Sequence, residues 1–151
     1  MSSNRTRPTD VAMAAPVLGA EEAINLLAAF SSGRLSGSGE YVEQFEQELA
    51  SRHASQAVVC SNGTAALHLV LGALGVGKHD EVIIPNFSYV ATLNAVLYCG
   101  ATPVFVDVSP STWCMDPVEV LQHMTERTRA IIPVHLYGNM CDMFTLTQQV
   151  G

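Results

Sequence analysis

Apolar positions along this chain change their spacing once, near residue 57. Residues 1 to about 18 carry no periodicity and read as a loose leader. From Ala20 to Phe30, Ile24, Leu27 and Phe30 share one face, the period of a helix. A Ser- and Gly-rich stretch from Ser31 to Gly39 predicts a loop. A second helix then sets Val42, Phe45 and Leu49 on one face and turns Glu43, Gln47 and Glu48 mostly to water.

Beyond residue 57 short apolar runs alternate with helical patterns. Strands are predicted over Ala57–Cys60, Glu81–Ile84 (stopped by Pro85), Pro103–Val108 and Arg129–His135. Helices are predicted over Thr64–Leu74, over Tyr89–Tyr98 closed by Gly100, over Val118–Met124 capped by Asp116, and from Asp142 onward. The strands are continuous apolar runs rather than alternating ones, which fits a parallel sheet covered on both faces by crossover helices. With no repeat or linker visible, residues 19–151 read as one α/β region.

Composition narrows the function classes. Only 14% of the 151 residues are charged, against roughly 25% in ordinary globular domains. Seven basic and fourteen acidic residues leave a net charge of −7, which argues against a nucleic-acid binder that must neutralise phosphates. Four scattered cysteines, with no Cys-x-x-Cys pair, give neither a zinc-finger spacing nor a disulfide framework. No signal peptide or membrane span is readable, so a soluble cytoplasmic protein that does not bind membranes is expected.

In open α/β sheets ligands collect at the carboxyl ends of strands, and three such ends carry unusual polar residues. In Cys60-Ser61-Asn62-Gly63-Thr64-Ala65 a strand meets a helix through a tight turn. The free N–H groups there and the Thr64 hydroxyl suit a phosphate, while an ordinary helix cap is the plainer alternative. In Pro85-Asn86-Phe87-Ser88-Tyr89 the Ser88 hydroxyl is placed to cap the next helix. Tyr89 either stacks on a flat ligand or packs with Phe87 under the loop. In Pro133-Val134-His135-Leu136-Tyr137 the histidine either meets a ligand or is structural. Gly37-Ser38-Gly39 is not a dinucleotide fingerprint, because no strand precedes it and the third Gly is absent. Arg127 and Arg129 form too small a basic spot for nucleic acid.

Taken in order, these segments resemble the N-terminal part of the PLP-dependent nucleotide-sugar aminotransferases of the DegT/StrS family, with the perosamine-synthase-like branch as the nearest fit. The resemblance runs from about Leu35 to Gln149, through Ser36-Gly37-Ser38-Gly39-Glu40-Tyr41, Ser61-Asn62-Gly63-Thr64-Ala65-Ala66-Leu67, Asp80-Glu81-Val82-Ile83-Ile84-Pro85, Ala101-Thr102-Pro103-Val104-Phe105-Val106-Asp107 and Val134-His135-Leu136-Tyr137-Gly138. It implies a partial three-layer α/β/α large domain of the fold type I, aspartate-aminotransferase-like class. It further implies that Gly63, Thr64 and Ala65 hold the phosphate of pyridoxal 5′-phosphate and that Tyr89 stacks on the cofactor ring. Asn62 and Thr92 border those positions. His135, Ser36 and Gly37 fall near the substrate. Relatives take the amino group from glutamate, give it to a nucleotide-linked keto-deoxysugar, and build their sites at a homodimer interface.

The family's Schiff-base lysine and the acid partner of the pyridine nitrogen match nothing here, so no catalytic residue is assigned. Lys78 is the only lysine, and it sits in a turn at the amino-terminal end of a strand, away from the ligand-binding edge. The expectation is a segment of an aminotransferase that is inactive alone. The alternative is a non-catalytic binding or interaction module on the same fold.

Overall fold

Three of the four predicted strands form a parallel sheet. A computed structural model describes residues 15–33 and 36–150. The first fourteen residues of the predicted leader, and Leu35, where the family resemblance begins, lie outside that range. The chain divides into two compact units, Met1–Val58 and Val59–Gly151.

The first unit holds α1 (Ala20–Ser32) and α2 (Glu40–His53). The Gly19 N–H donates to Glu22 Oε2 at 2.6 Å, and hydrogen bonds from Glu22's own backbone and from Gly19 hold the Glu22 carboxyl below its usual pKa. The α1 helix ends at Gly33 in the left-handed conformation. Both amphipathic patterns are helical as predicted, yet neither helix buries a residue. Ile24, Leu27, Phe30 and Phe45 all stay exposed.

In the second unit α3 (Gly63–Ala73) leads to β1 (Glu81–Pro85), followed by α4 (Ala91–Tyr98), β2 (Thr102–Val106), α5 (Pro117–His123), β3 (Thr128–Ile131) and α6 (Met143–Val150). The sheet order is β2-β1-β3, with both pairs parallel. Alternation along β1 builds two cores. Val82 and Ile84 point to one face and pack with Leu71 of α3 and with Ala95 and Val96 of α4. Ile83 points to the other face, among Val106, Val120 of α5, Cys141 and Leu146 of α6. All five residues of β1 are buried, and each fully buried Val or Ile side chain contributes roughly 1.5–3 kcal/mol. The expected α/β/α layering is therefore present.

Several boundaries depart from the sequence reading. Residues 57–60 form no strand, because they join no ladder with the three-stranded sheet among the described residues. The β3 strand stops at Ile131, well short of His135. The ladder gains one more bond, Ile132 N–H to the Ile83 carbonyl at 2.9 Å, and then meets Pro133, which has no N–H to offer. The β2 strand ends at Val106, although Val108 makes an isolated antiparallel bridge to Met115. The α4 helix begins at Ala91, two residues later than expected, and Ser88 does not cap it. The Ser88 hydroxyl donates to the Tyr89 carbonyl at 3.3 Å instead. The Asp116 cap forms as read, accepting from Val118 N–H at 2.9 Å, while the last helix begins at Met143, one residue later than expected, and Asp142 accepts from Thr145 N–H at 3.0 Å ahead of it.

The two arginines of the basic spot stay exposed, and each bonds to a partner within the fold. A register shift between Glu81 and Val82 leaves Arg129 without a partner position on β1. Its guanidinium donates to the Leu74 carbonyl, at 3.1 Å from Nη2, at the carboxyl end of α3, where a cation complements the helix dipole. Arg127 pairs with the buried Glu81 carboxylate.

Candidate functional site

The turn before α3 is organised by one side chain. Asn62, in extended conformation, accepts the Ala65 N–H on its Oδ1 at 2.9 Å, and its carbonyl accepts the Ala66 N–H at 3.1 Å. Asn62 is thus the N-cap of α3. The N–H groups of Gly63 and Thr64 have no partner among the described residues, so the positive end of the α3 dipole keeps two free donors. Gly63 leaves space beside them, since a Cβ there would meet no atom within 4 Å.

That turn faces the start of α4 across an open cleft of about 740 Å³. Asn62, Gly63, Thr64, Tyr89 and Thr92 all line it, with Ala66, Leu67, Val70 and Ala91 as its apolar wall. Thr92 is buried, whereas Tyr89 is 78% exposed and packs under nothing. The alternative in which Tyr89 fills space beneath its loop is therefore not what forms. Ala65 lines an adjoining pocket with Asn62, Thr64, His68, Asn94 and Tyr98. A helix N-terminus with unspent donors, a hydroxyl and an open aromatic ring together suit a flat ligand that carries an anion.

His135 lies beyond the end of β3, and its ring has a structural partner. The Cys141 N–H donates to Nδ1 at 3.0 Å, which requires a lone pair on that nitrogen. Cys141 itself is buried, donates its thiol to the Val134 carbonyl at 3.2 Å, and is pushed up to about pKa 11 by burial and by the neighbouring Cys114 thiol. Ser36 and Gly37 belong to the first compact unit, where the Ser36 hydroxyl donates to the Ser38 carbonyl at 2.8 Å. Lys78 is exposed in the turn before β1, where Gly77 N–H donates to Asp80 Oδ2 at 2.8 Å. The five-residue β1, about 16 Å at strand rise, separates that turn from the loop carrying Tyr89.

Trp113 and the Tyr137 ring are not among the sequence-predicted site residues. Both join Phe87 in a ring cluster past the strand ends, and only their common place in the segments after β1, β2 and β3 links them in the sequence. Among the described residues no three His, Cys, Asp or Glu side chains are placed to hold a metal, and no helix is long and apolar enough to cross a membrane.

A sequence profile of the DegT/DnrJ/EryC1/StrS aminotransferase family matches residues 16–149. The GDP-perosamine synthase of Caulobacter vibrioides is 44% identical over 134 residues, covering 88% of this chain and 36% of that protein. The crystal structure of an aminotransferase from Psychrobacter cryohalolentis superposes with a TM-score of 0.83 at 34% identity, over 89% of this chain and 35% of its own. NtdA from Bacillus subtilis, solved with bound cofactor PMP, gives a TM-score of 0.78 at 42% identity, over 85% of this chain and 30% of its own. The chain thus spans about a third of the length of these relatives. The shared α/β arrangement is part of a fold type I domain.

Proposed function

The chain belongs to the DegT/DnrJ/EryC1/StrS aminotransferase family, and we propose that it is the part of a PLP-dependent nucleotide-sugar aminotransferase that holds the cofactor's phosphate and one face of its ring. The observation that carries this reading is the cleft, which brings the free Gly63 and Thr64 N–H donors, the Thr64 hydroxyl and the exposed Tyr89 ring to one opening. Gly63 and Thr64 hold the phosphate and Asn62 fixes their geometry as the cap. Tyr89 covers the pyridine face and Thr92 forms the wall beside it. Bound there, pyridoxal phosphate supplies the electron sink for amino-group transfer.

Glutamate as amino donor, a nucleotide-linked keto-deoxysugar as acceptor, a homodimer for the complete enzyme and a cytoplasmic setting belong to the same proposal. The four cysteines are all free thiols, as a reducing compartment keeps them. The region 19–151 acts as the N-terminal portion of the cofactor domain. On this reading the 151 residues alone transfer no amino group, which the lining of the cleft, without lysine or carboxylate, supports. That same observation favours the second reading, a binding or interaction module without chemistry, which predicts a monodisperse protein that stays soluble by itself.

Equilibrium dialysis of the chain against pyridoxal 5′-phosphate and against pyridoxal tests the main reading. The phosphorylated form binds at least tenfold more tightly, and Gly63→Val, which fills the space beside the donors, removes the difference. Equal binding of the two compounds refutes it.

A further inference from the structure

The three-ring cluster past the strand ends has no part in the cofactor cleft. Phe87 follows β1, Trp113 lies in the loop after β2 and Tyr137 follows β3, so three separate segments each bring one ring to the edge where ligands collect in such sheets. Trp113 sits between the other two. Its ring centroid is 5.3 Å from Phe87 at an interplanar angle of 70° and 6.0 Å from Tyr137 at 71°. Neither of these two pairs stacks in parallel, and the rings remain 42%, 48% and 74% exposed at Phe87, Trp113 and Tyr137. Rings that merely fill space under a loop are buried; these leave aromatic surface open to a flat ligand.

The backbone is committed to this display. Trp113 has φ 62° and Tyr137 φ 50°, the left-handed region that bulky residues avoid. Such conformations persist where surrounding bonds impose them, and they cluster at ligand sites. Here the Trp113 N–H donates to the Ser109 carbonyl at 2.8 Å, and the Asn139 N–H closes the turn carrying Tyr137 on the Leu136 carbonyl at 2.9 Å. Phe87 is held in the loop that also carries Tyr89, so one short segment supplies an aromatic to the cofactor cleft and one to this cluster. The residue before it, Asn86, is tied by its side chain to Asp107 at the end of β2.

We propose that Phe87, Trp113 and Tyr137 form a stacking platform for the nucleobase of the nucleotide-linked substrate. The inference rests on the nucleotide-sugar reading above and adds to it a location for the base. Stacking on aromatic faces tolerates any base, because every base has a π-face. The platform therefore contributes affinity for a nucleoside diphosphate without choosing between purine and pyrimidine.

Trp113 is the only tryptophan, so its emission reports on the platform directly. The chain is titrated with GDP, UDP, ribose 5-phosphate and pyrophosphate, with pyridoxamine phosphate binding measured in parallel by dialysis. Both nucleoside diphosphates quench saturably, while the two compounds without a base do not. Tyr137→Ala weakens nucleotide binding about tenfold, and Tyr137→Phe, which keeps the ring, restores it. Pyridoxamine phosphate binding is the same in all three proteins. Absence of saturable quenching, or equal quenching by pyrophosphate, overturns the platform. So does emission that shifts with protein concentration alone, which would mean a second copy covers the rings. Loss of nucleotide quenching with pyridoxamine phosphate still bound refutes only this inference. Failure of pyridoxamine phosphate to bind wild type refutes the cofactor reading instead.

Discussion

The Asn62 side-chain oxygen accepts the Ala65 N–H at 2.9 Å, and this bond sets which donors remain at the head of α3. With Ala65 satisfied by its own cap, the ligand's share falls to Gly63 and Thr64. Replacing Asn62 separates the two jobs of the turn. Asn62→Ala removes the cap and costs about 1 kcal/mol of stability. Asn62→Asp keeps a capping oxygen but adds a negative charge beside the phosphate position. Its denaturation midpoint stays near wild type while pyridoxal phosphate affinity falls at least tenfold. Urea melts and equilibrium dialysis on the two variants check this.

Lys78 lies at the far end of β1 from the cleft. Borohydride reduction of the chain with pyridoxal phosphate, followed by peptide mass spectrometry, leaves no stoichiometric pyridoxyl label on Lys78. Lys78→Ala binds pyridoxal phosphate as wild type does.

The thiol of Cys141 is raised from 9.0 to about 11 by burial and by Cys114. A raised pKa means that the folded state holds the proton more tightly than the unfolded chain. Its stabilising contribution is complete below pH 9 and is lost as pH rises toward 11. Thermal melts across that window show a fall in stability that Cys141→Ala flattens. At pH 8 Cys141 is alkylated far more slowly in the folded protein than in urea.

Glu81 is 5% exposed, and its carboxylate accepts from the Thr125 hydroxyl at 2.5 Å and takes its only opposite charge among the described residues from Arg127. Arg127→Met leaves that charge unpaired and costs about 1–3 kcal/mol. Adding Glu81→Gln recovers most of the loss, because the buried charge is gone. A double-mutant cycle in urea at pH 7 measures the coupling.

The sheet was legible because its strands are unbroken apolar runs and its helices carry Asp caps and glycine stops. Val82, Ile83 and Ile84 announce a strand buried on both faces. The segment 57–60 has the same composition, but a strand exists only when a neighbour accepts its hydrogen bonds, and composition says nothing of neighbours. The apolar residues before His135 predict a strand reaching it, but Pro133 removes the donor that the ladder needs. Asn62, Gly63, Thr64 and Tyr89 are legible locally, since a cap, a turn glycine, a hydroxyl at a helix start and an aromatic ring have local signatures, whereas Thr92 enters only through the family resemblance. The ring cluster could not, because Phe87, Trp113 and Tyr137 are far apart in sequence and meet only once the strands are aligned.

Amide mapping by ¹⁵N NMR, with pyridoxamine phosphate titrated into the labelled chain, shows where the cofactor's phosphate sits. This ligand is an amine and cannot condense with Lys78, so any perturbation reports binding alone. The largest saturable shifts fall at the Gly63 and Thr64 amides, with Tyr89 next and Lys78 unmoved; a cofactor held at another place would move other amides most. Shifts centred elsewhere, or none at the head of α3, would contradict binding there.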